Sequence, residues 1–248
     1  NYNIKPIKKG KKIIGKIRCY IIAEIGSNFN GNLKTAKLLM KLAKNAGADA
    51  AKFQSFKTEK LLSKKGFDKK SAFQSNWKKS VWKVYEDAEL PRKWHNELSL
   101  YAKKIGIDFF TSPWDFDAVD LLKELKVPAI KVGSGDITYH EILKKIAKLK
   151  KPVILGTGAS TMQEISDAIK IIKSTGNNKI ILLHSITQYP SPIEEANLKA
   201  LESLKQKFNL HVGYSDHSPG LIIPLASVAL GASVIEKHVT LSRAEAGP

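Results

Sequence analysis

Eight short runs rich in apolar and β-branched residues punctuate the chain, at 19–24, 48–53, 108–112, 129–134, 152–157, 179–185, 210–215 and 233–238. Most are apolar throughout rather than alternating, the pattern of strands covered on both faces. Amphipathic stretches with a helical period lie between them, at 33–46, 139–149, 161–174 and 221–230. In the first, Leu38, Leu39, Leu42 and Ala46 are expected to share the buried face, and Gly47 to stop the helix. Pro224 is tolerable only because it falls in the first turn of the last. Strands alternating with helices predict a parallel α/β fold. Eight strands in 248 residues predict a (β/α)8 TIM barrel, which needs roughly 250 residues.

Three regions depart from the alternation. Residues 4–22 hold two apolar runs separated near Gly15, read as a hairpin that plugs the barrel bottom. The expected division is therefore a hairpin extension at 1–18 and the barrel at 19–248. Residues 56–91 form a long insertion after the second strand, with a helix near Val81–Asp87; loops on that side of a barrel usually cover the active site. After the eighth strand the chain runs only to Pro248, so the closing eighth helix is not expected within it.

The formal charge of +18 raises the question of an anionic partner. The lysines are spread along the chain, as in Lys144, Lys145, Lys148, Lys150 and Lys151, and alternate with apolar positions as on solvated helix faces. No zinc-finger spacing, basic zipper or aromatic-rich RNA-binding motif accompanies them, which argues against nucleic acid. No apolar run approaches the roughly 20 residues that span a bilayer, and no secretory signal pattern is present. The single cysteine, Cys19, excludes an internal disulfide framework and fits a reducing compartment. Cytoplasm is the expected location.

Polar chemistry collects where the strands end. The ends carry Glu24, Lys52 with Gln54, Thr111 with Ser112, and Lys131 with Ser134 and Asp136. Gly156 with Thr157, His184 with Tyr189, Ser215 with His217, and Glu236 with His238 follow. Barrel active sites form at the C-terminal strand ends, and a purely structural barrel gains nothing from buried charge there. Lys52 and Lys131 interrupt apolar strands, so their ammoniums, with nearby hydroxyls and glycine amides, suit a phosphate or carboxylate. Two other roles stand beside this one: pairing with a neighbouring carboxylate as scaffolding, and Schiff-base chemistry. His217 and His238 close consecutive strands and suit either a divalent cation such as Mn²⁺, Zn²⁺ or Fe²⁺, or a hydrogen-bonded pair. Asp216 and Glu236 are placed to support them or to add ligands. His95, His140, His211 and His184 are expected to face neighbours rather than a ligand.

Several of these segments are long enough to be specific. AEIGSN at 23–28, AGADAAKFQ at 46–54, FFTSPWD at 109–115 and IKVGSGD at 130–136 resemble the sialic acid synthase family. LLHSITQYPSP at 182–192, GYSDHS at 213–218 and IEKHVT at 235–240 continue the resemblance, which runs from Tyr20 to Pro248. Those enzymes condense phosphoenolpyruvate with an N-acylated amino sugar, using a divalent metal, and release phosphate. The resemblance implies that His217 and His238 hold the metal, Mn²⁺ first, with Mg²⁺, Co²⁺ or Zn²⁺ as alternatives. It implies that Lys52, Thr111, Lys131, Ser134, Thr157 and Ser215 bind phosphoenolpyruvate, and that Glu24, Gln54, Asn76, Asp136 and Tyr189 face the sugar. Glu24, Glu236, Lys52 and Lys131 are the implied catalytic groups. It also implies a homodimer formed through a small C-terminal antifreeze-like domain that is absent from this sequence.

Some positions depart from the family pattern. Phe29 stands where histidine is frequent, Asp136 where glutamate is common, Gly156-Thr157 where Ser-Thr is usual, and Thr187-Gln188 where Asn-Ile is usual. The phosphate end is thus mostly kept and the sugar end altered. Two other readings of the barrel are another phosphoenolpyruvate–aldose synthase, such as a deoxy-octulosonate or heptulosonate phosphate synthase, and a non-catalytic barrel in polysaccharide or coat assembly.

Overall fold

Every predicted strand forms in the computed structural model, which describes residues 6–9, 12–14, 18–67 and 77–244. A two-stranded hairpin comes first, β1 (Ile7–Lys9) paired antiparallel with β2 (Lys12–Ile14), Ile7 opposite Ile14. Both paired strands thus precede Gly15, whereas the apolar runs were expected to divide near it. Ile7 and Ile14 join the main buried cluster, so the hairpin is anchored through its apolar pair.

The barrel strands are β3 (Tyr20–Gly26), β4 (Ala50–Ser55), β5 (Asp108–Pro113), β6 (Ile130–Val132), β7 (Val153–Gly156), β8 (Ile180–His184), β9 (His211–Asp216) and β10 (Val234–His238). Their order is β5-β4-β3-β10-β9-β8-β7-β6, and every pair is parallel. The two terminal strands, β5 and β6, lie against each other, so the sheet curls into a nearly closed barrel. Gly213 is required where β9 meets β10, because a side chain there would begin 2.2 Å from the Val234 carbonyl oxygen.

Helices α1 (Leu33–Asn45), α4 (Trp94–Ile105), α5 (Phe116–Glu124), α6 (His140–Lys148), α7 (Met162–Ser174), α8 (Ala200–Phe208) and α9 (Ile222–Ala229) occupy the intervals between the strands. Local signals set their ends. Asn32 accepts from the amides of Lys34 and Thr35, Thr161 and Glu164 form a capping box, and α4 stops at left-handed Gly106. The predicted face of α1 needs correction. Ala36, Leu39, Met40 and Ala43 are its buried residues, while Leu38 and Leu42 are 44% and 45% exposed and Ala46 is only the cap. Small alanines let the helix approach closely, and the larger leucines fall to its flank. The insertion after β4 contains α2 (Thr58–Leu61) and the expected second helix, α3 (Val81–Ala88).

Strand side chains alternate, so register decides what enters the barrel. Glu24 pairs with Lys52 and with His238, Lys52 with Phe110, Gln54 with Ser112, and Glu236 with Ser215. These positions form the inward set. The intervening residues face the helices: Phe53 packs with Phe29 and Phe109, and His184 with Tyr214.

Candidate active site

The C-terminal ends of the strands open into a cavity of about 430 Å³, within the size range of small-molecule sites. Its floor is a cluster of four charged residues from four strands: Glu24 on β3, Lys52 on β4, Lys131 on β6 and Glu236 on β10. Lys52 Nζ lies 2.8 Å from Glu24 Oε2, 3.7 Å from Glu236 Oε2 and 3.2 Å from Ser112 Oγ. Gln54 donates to Glu24 Oε1 at 2.9 Å, and Ser215 donates to Glu236 Oε1 at 3.1 Å. Lys131 has one ion pair among the described residues, to Glu236 Oε1 at 3.5 Å. Lys52 is thus held largely as scaffold. Lys131 keeps donor capacity for a ligand.

The carboxylates are electrostatically unlike. Burial would raise Glu236, but the ammoniums of Lys131 and Lys52 outweigh it and hold its carboxyl down to about 2. Burial dominates at Glu24, with Lys52 opposing and Glu236 adding to it, so its pKa ends above the ordinary glutamate value. Burial pulls Lys52 down, but Glu236 and Glu24 outweigh it and raise it. Burial also pulls Lys131 down; Glu236 opposes, Lys52 adds to the fall, and the net shift is downward. Lys52 is thus shared between two carboxylates, while Lys131 faces Glu236 alone.

A second group sits at the rim. His217 Nδ1 meets the Ile186 carbonyl oxygen at 2.7 Å, so that nitrogen must carry the proton. Its Nε2 then presents a lone pair, to which the Tyr189 hydroxyl donates at 2.9 Å. The ring of His238 lies 5.7 Å from that of His217. Burial, with Lys52 next in effect, pushes His238 down to about 4, and burial lowers His217 as well, so both imidazoles stay neutral near pH 7. Among the described residues no three His, Cys, Asp or Glu side chains converge to hold a cation unaided. The rim thus offers two neutral nitrogens, one with its tautomer fixed by a backbone carbonyl, as metal-bound histidines usually have. They fit a divalent cation whose other positions go to substrate and water.

Most of the sequence-predicted residues meet here. Glu24, Lys52, Gln54, Lys131, Ser134, Asp136, Tyr189, Ser215, His217, Glu236 and His238 all line the cavity. Ser134 opens a short 3-10 turn and accepts from the Gly158 amide at 3.0 Å. Burial raises the Asp136 carboxyl to about 6, with Lys131 opposing.

Four expectations need correction. Thr111 pairs with outward Phe53, so it faces the helices, and Ser112 takes the inward place. Thr157 likewise turns away, its hydroxyl donating to the Leu183 carbonyl at 3.1 Å. Asp216 is also outward; it accepts from Ser218 and pairs with Lys237 rather than with either histidine. Phe29 is fully buried against Phe53 and Trp94, so its replacement of histidine does not reshape the cavity. Asn76 lies outside the described residues. Gly156, by contrast, is explained by the cavity, because a Cβ there would sit 2.8 Å from Ser134 Oγ and 2.9 Å from its amide. His184 and His95 face neighbours as expected, bonded to the Ala196 carbonyl and Ser55. Sequence reasoning did not single out Leu61, Leu62, Tyr85, Trp114 and Ser185 as lining residues.

Comparison with known proteins agrees with this architecture. The chain is 48% identical over 233 residues to N,N'-diacetyllegionaminic acid synthase of Campylobacter jejuni, covering 92% of this chain and 69% of that protein. It is 37% identical over 235 residues to the mouse N-acetylneuraminate-9-phosphate synthase, covering 94% of this chain and 65% of that one. The crystal structure of N-acetylneuraminic acid synthetase from Leptospira borgpetersenii serovar Hardjo-bovis superposes with a TM-score of 0.86 at 35% identity, over 96% of this chain and 79% of that one. No helix among the described residues is long and apolar enough to cross a membrane. The NeuB family profile matches residues 39–248, and the chain belongs to the NeuB family.

Proposed function

We propose that this chain condenses phosphoenolpyruvate with an N-acylated amino sugar, in a divalent-metal-dependent reaction that yields a nonulosonic acid and phosphate. The observation that carries this reading is Lys131: a buried lysine with one long ion pair among the described residues, lining the cavity. Lys131, Ser134 and the glycine-flanked amides around it suit the anionic groups of phosphoenolpyruvate, and Ser112 and Ser215 border the same floor. Gln54, Asp136 and Tyr189 are the polar groups available to the sugar.

His217 and His238 would hold the cation, Mn²⁺ first, which when bound would polarise the sugar aldehyde as a Lewis acid. Carbon three of the enol ester bonds to the aldehyde carbon, and positive charge develops at carbon two. Glu236, held ionised, stabilises that charge. Glu24, whose pKa is raised, is the group suited to accept a proton from the water that adds at carbon two. The carbon–oxygen bond to phosphate then breaks, leaving the keto acid.

Phosphate release from phosphoenolpyruvate with Mn²⁺ and each candidate sugar tests the reading on full-length protein. Acceptor-dependent release is expected. No release with any acceptor would overturn it and favour a non-catalytic barrel, whereas release only with phosphorylated aldoses would favour the other condensing synthases.

A further inference from the structure

The two ends of the barrel helices carry opposite charge. Helices α4, α5, α6, α7 and α8 fill the five consecutive intervals from β4 round to β9. Each has a carboxylate in its first turn: Glu97, Asp117, Glu141, Glu164 and Glu202. Their last turns carry Lys103, Lys104, Lys123, Lys148, Lys173 and Lys207, all exposed and without a carboxylate partner among the described residues. The turns that follow add Lys126, Lys150, Lys151 and Lys179, of which Lys150 and Lys179 reach backbone carbonyls and none a carboxylate. Lysines on the flanks, by contrast, are paired, as Lys37 with Glu97, Lys60 with Asp117 and Lys145 with Asp120.

Each helix runs back from the cavity, so these last turns sit at the N-terminal face of the barrel, opposite the site. A lysine at a helix end ordinarily complements the macrodipole, which amounts to about half a charge per end. Five such ends, together with Glu124 in the last turn of α5, leave most of the ten lysines uncompensated. Asp49 and Asp108, at the starts of β4 and β5, are engaged by Arg18 and Tyr20. Residues 1–17, ahead of β3, hold six further lysines and no carboxylate.

The composition of the face selects among polyanions. It contains no unpaired arginine among the described residues, and arginine is the side chain whose planar fork reads phosphates and base edges. The exposed aromatic rings on which bases could stack, Phe116, Tyr139 and Tyr189, belong to the helix starts and the cavity rim. Ammoniums on separate flexible stems, spread over five helix ends, share no fixed geometry. They suit a surface whose charges move to meet them. We propose that the N-terminal face of the barrel binds an anionic lipid surface peripherally, leaving the cavity turned to the solution. Each lysine close to such a surface strengthens binding by about fivefold, and salt screens the effect.

The test is co-sedimentation of the full chain with vesicles of phosphatidylcholine alone and with phosphatidylserine added. Binding is expected only to the acidic vesicles and should fade as salt is raised. Lys104→Gln, Lys148→Gln and Lys173→Gln together should lower it by about 100-fold, with the fold unchanged by circular dichroism. Lys34→Gln, Lys93→Gln and Lys199→Gln remove the same charge at exposed positions of the opposite helix ends, and should cost less than about fivefold. No binding of the unaltered chain to acidic vesicles, or equal losses in the two triple variants, would overturn the proposal. Tighter binding of duplex DNA than of vesicles through the same three lysines would overturn it in favour of nucleic acid.

Discussion

Replacing Asp136 by asparagine should stabilise the fold at neutral pH, and by an amount that depends on pH. Burial raises this carboxyl from 3.8 to about 6, and Lys131 offsets the rise only in part. At about 1.4 kcal/mol per tenfold change, keeping the ionised form in the folded state at pH 7 costs on the order of 3 kcal/mol. Between pH 3.8 and about 6 the folded protein binds more protons at this site than the unfolded chain. The site's contribution therefore makes stability fall as pH rises through that window, after which the penalty is constant. Below it both states are protonated and the penalty vanishes. Asparagine has nearly the same shape and never carries the charge. For a chain of this size each kcal/mol moves Tm by about 2–4 °C, so the variant should melt on the order of 6–12 °C higher at pH 7. At pH 4 the two melting points should nearly coincide. The comparison is made on the same protein pair, so groups that titrate elsewhere cancel. A gain of equal size at both pH values, or none at pH 7, would refute the reasoning. A carboxylate kept at such cost in a cavity also marks a functional position, so the stabler variant should lose affinity for the sugar.

Other consequences follow from the same geometry. Lys131→Ala should raise KM for phosphoenolpyruvate by about tenfold or more, since it removes a charge-assisted contact worth about 1.5–3 kcal/mol; an unchanged phosphoenolpyruvate affinity by calorimetry would contradict the anion site. His217→Ala should abolish turnover and lower bound Mn²⁺, whereas unaltered Mn²⁺ affinity would remove His217 from the metal site. Gly156→Ala should destabilise by about 1–3 kcal/mol in urea unfolding, because its methyl group would press on the Ser134 backbone amide as well as the hydroxyl. Paired with Ser134→Ala the deficit should persist, because the amide contact at 2.9 Å remains.

The architecture was legible in the sequence because fully covered strands and amphipathic helices have unlike periods. All eight strand runs were placed within two residues of their observed ends. What enters the barrel was less legible, because inward or outward direction depends on register between strands far apart in the chain. The run Asp108–Pro113 shows this well: Phe109 and Phe110 are both buried, on opposite faces, so nothing local says whether Thr111 or Ser112 points inward. Thr157 was misplaced for the same reason. In α1 leucine density suggested a face with Leu38 and Leu42, whereas Ala36, Met40 and Ala43 join Leu39 on the buried one. The charged floor was found because lysine in an apolar strand is conspicuous. The apolar lining was not, because Leu61, Leu62 and Tyr85 come from the insertion, where no period announces a common surface.

The central claim is carbon–carbon condensation with cleavage of the carbon–oxygen bond of phosphoenolpyruvate. It is tested most directly by running the reaction in ¹⁸O-labelled water with Mn²⁺ and the preferred sugar, then analysing phosphate and product by mass spectrometry. The account predicts a keto acid containing the sugar and three added carbons, formed in equal amount with phosphate that carries no ¹⁸O. Labelled phosphate would mean attack at phosphorus, and phosphate released without that acid would mean hydrolysis without condensation; either would contradict it.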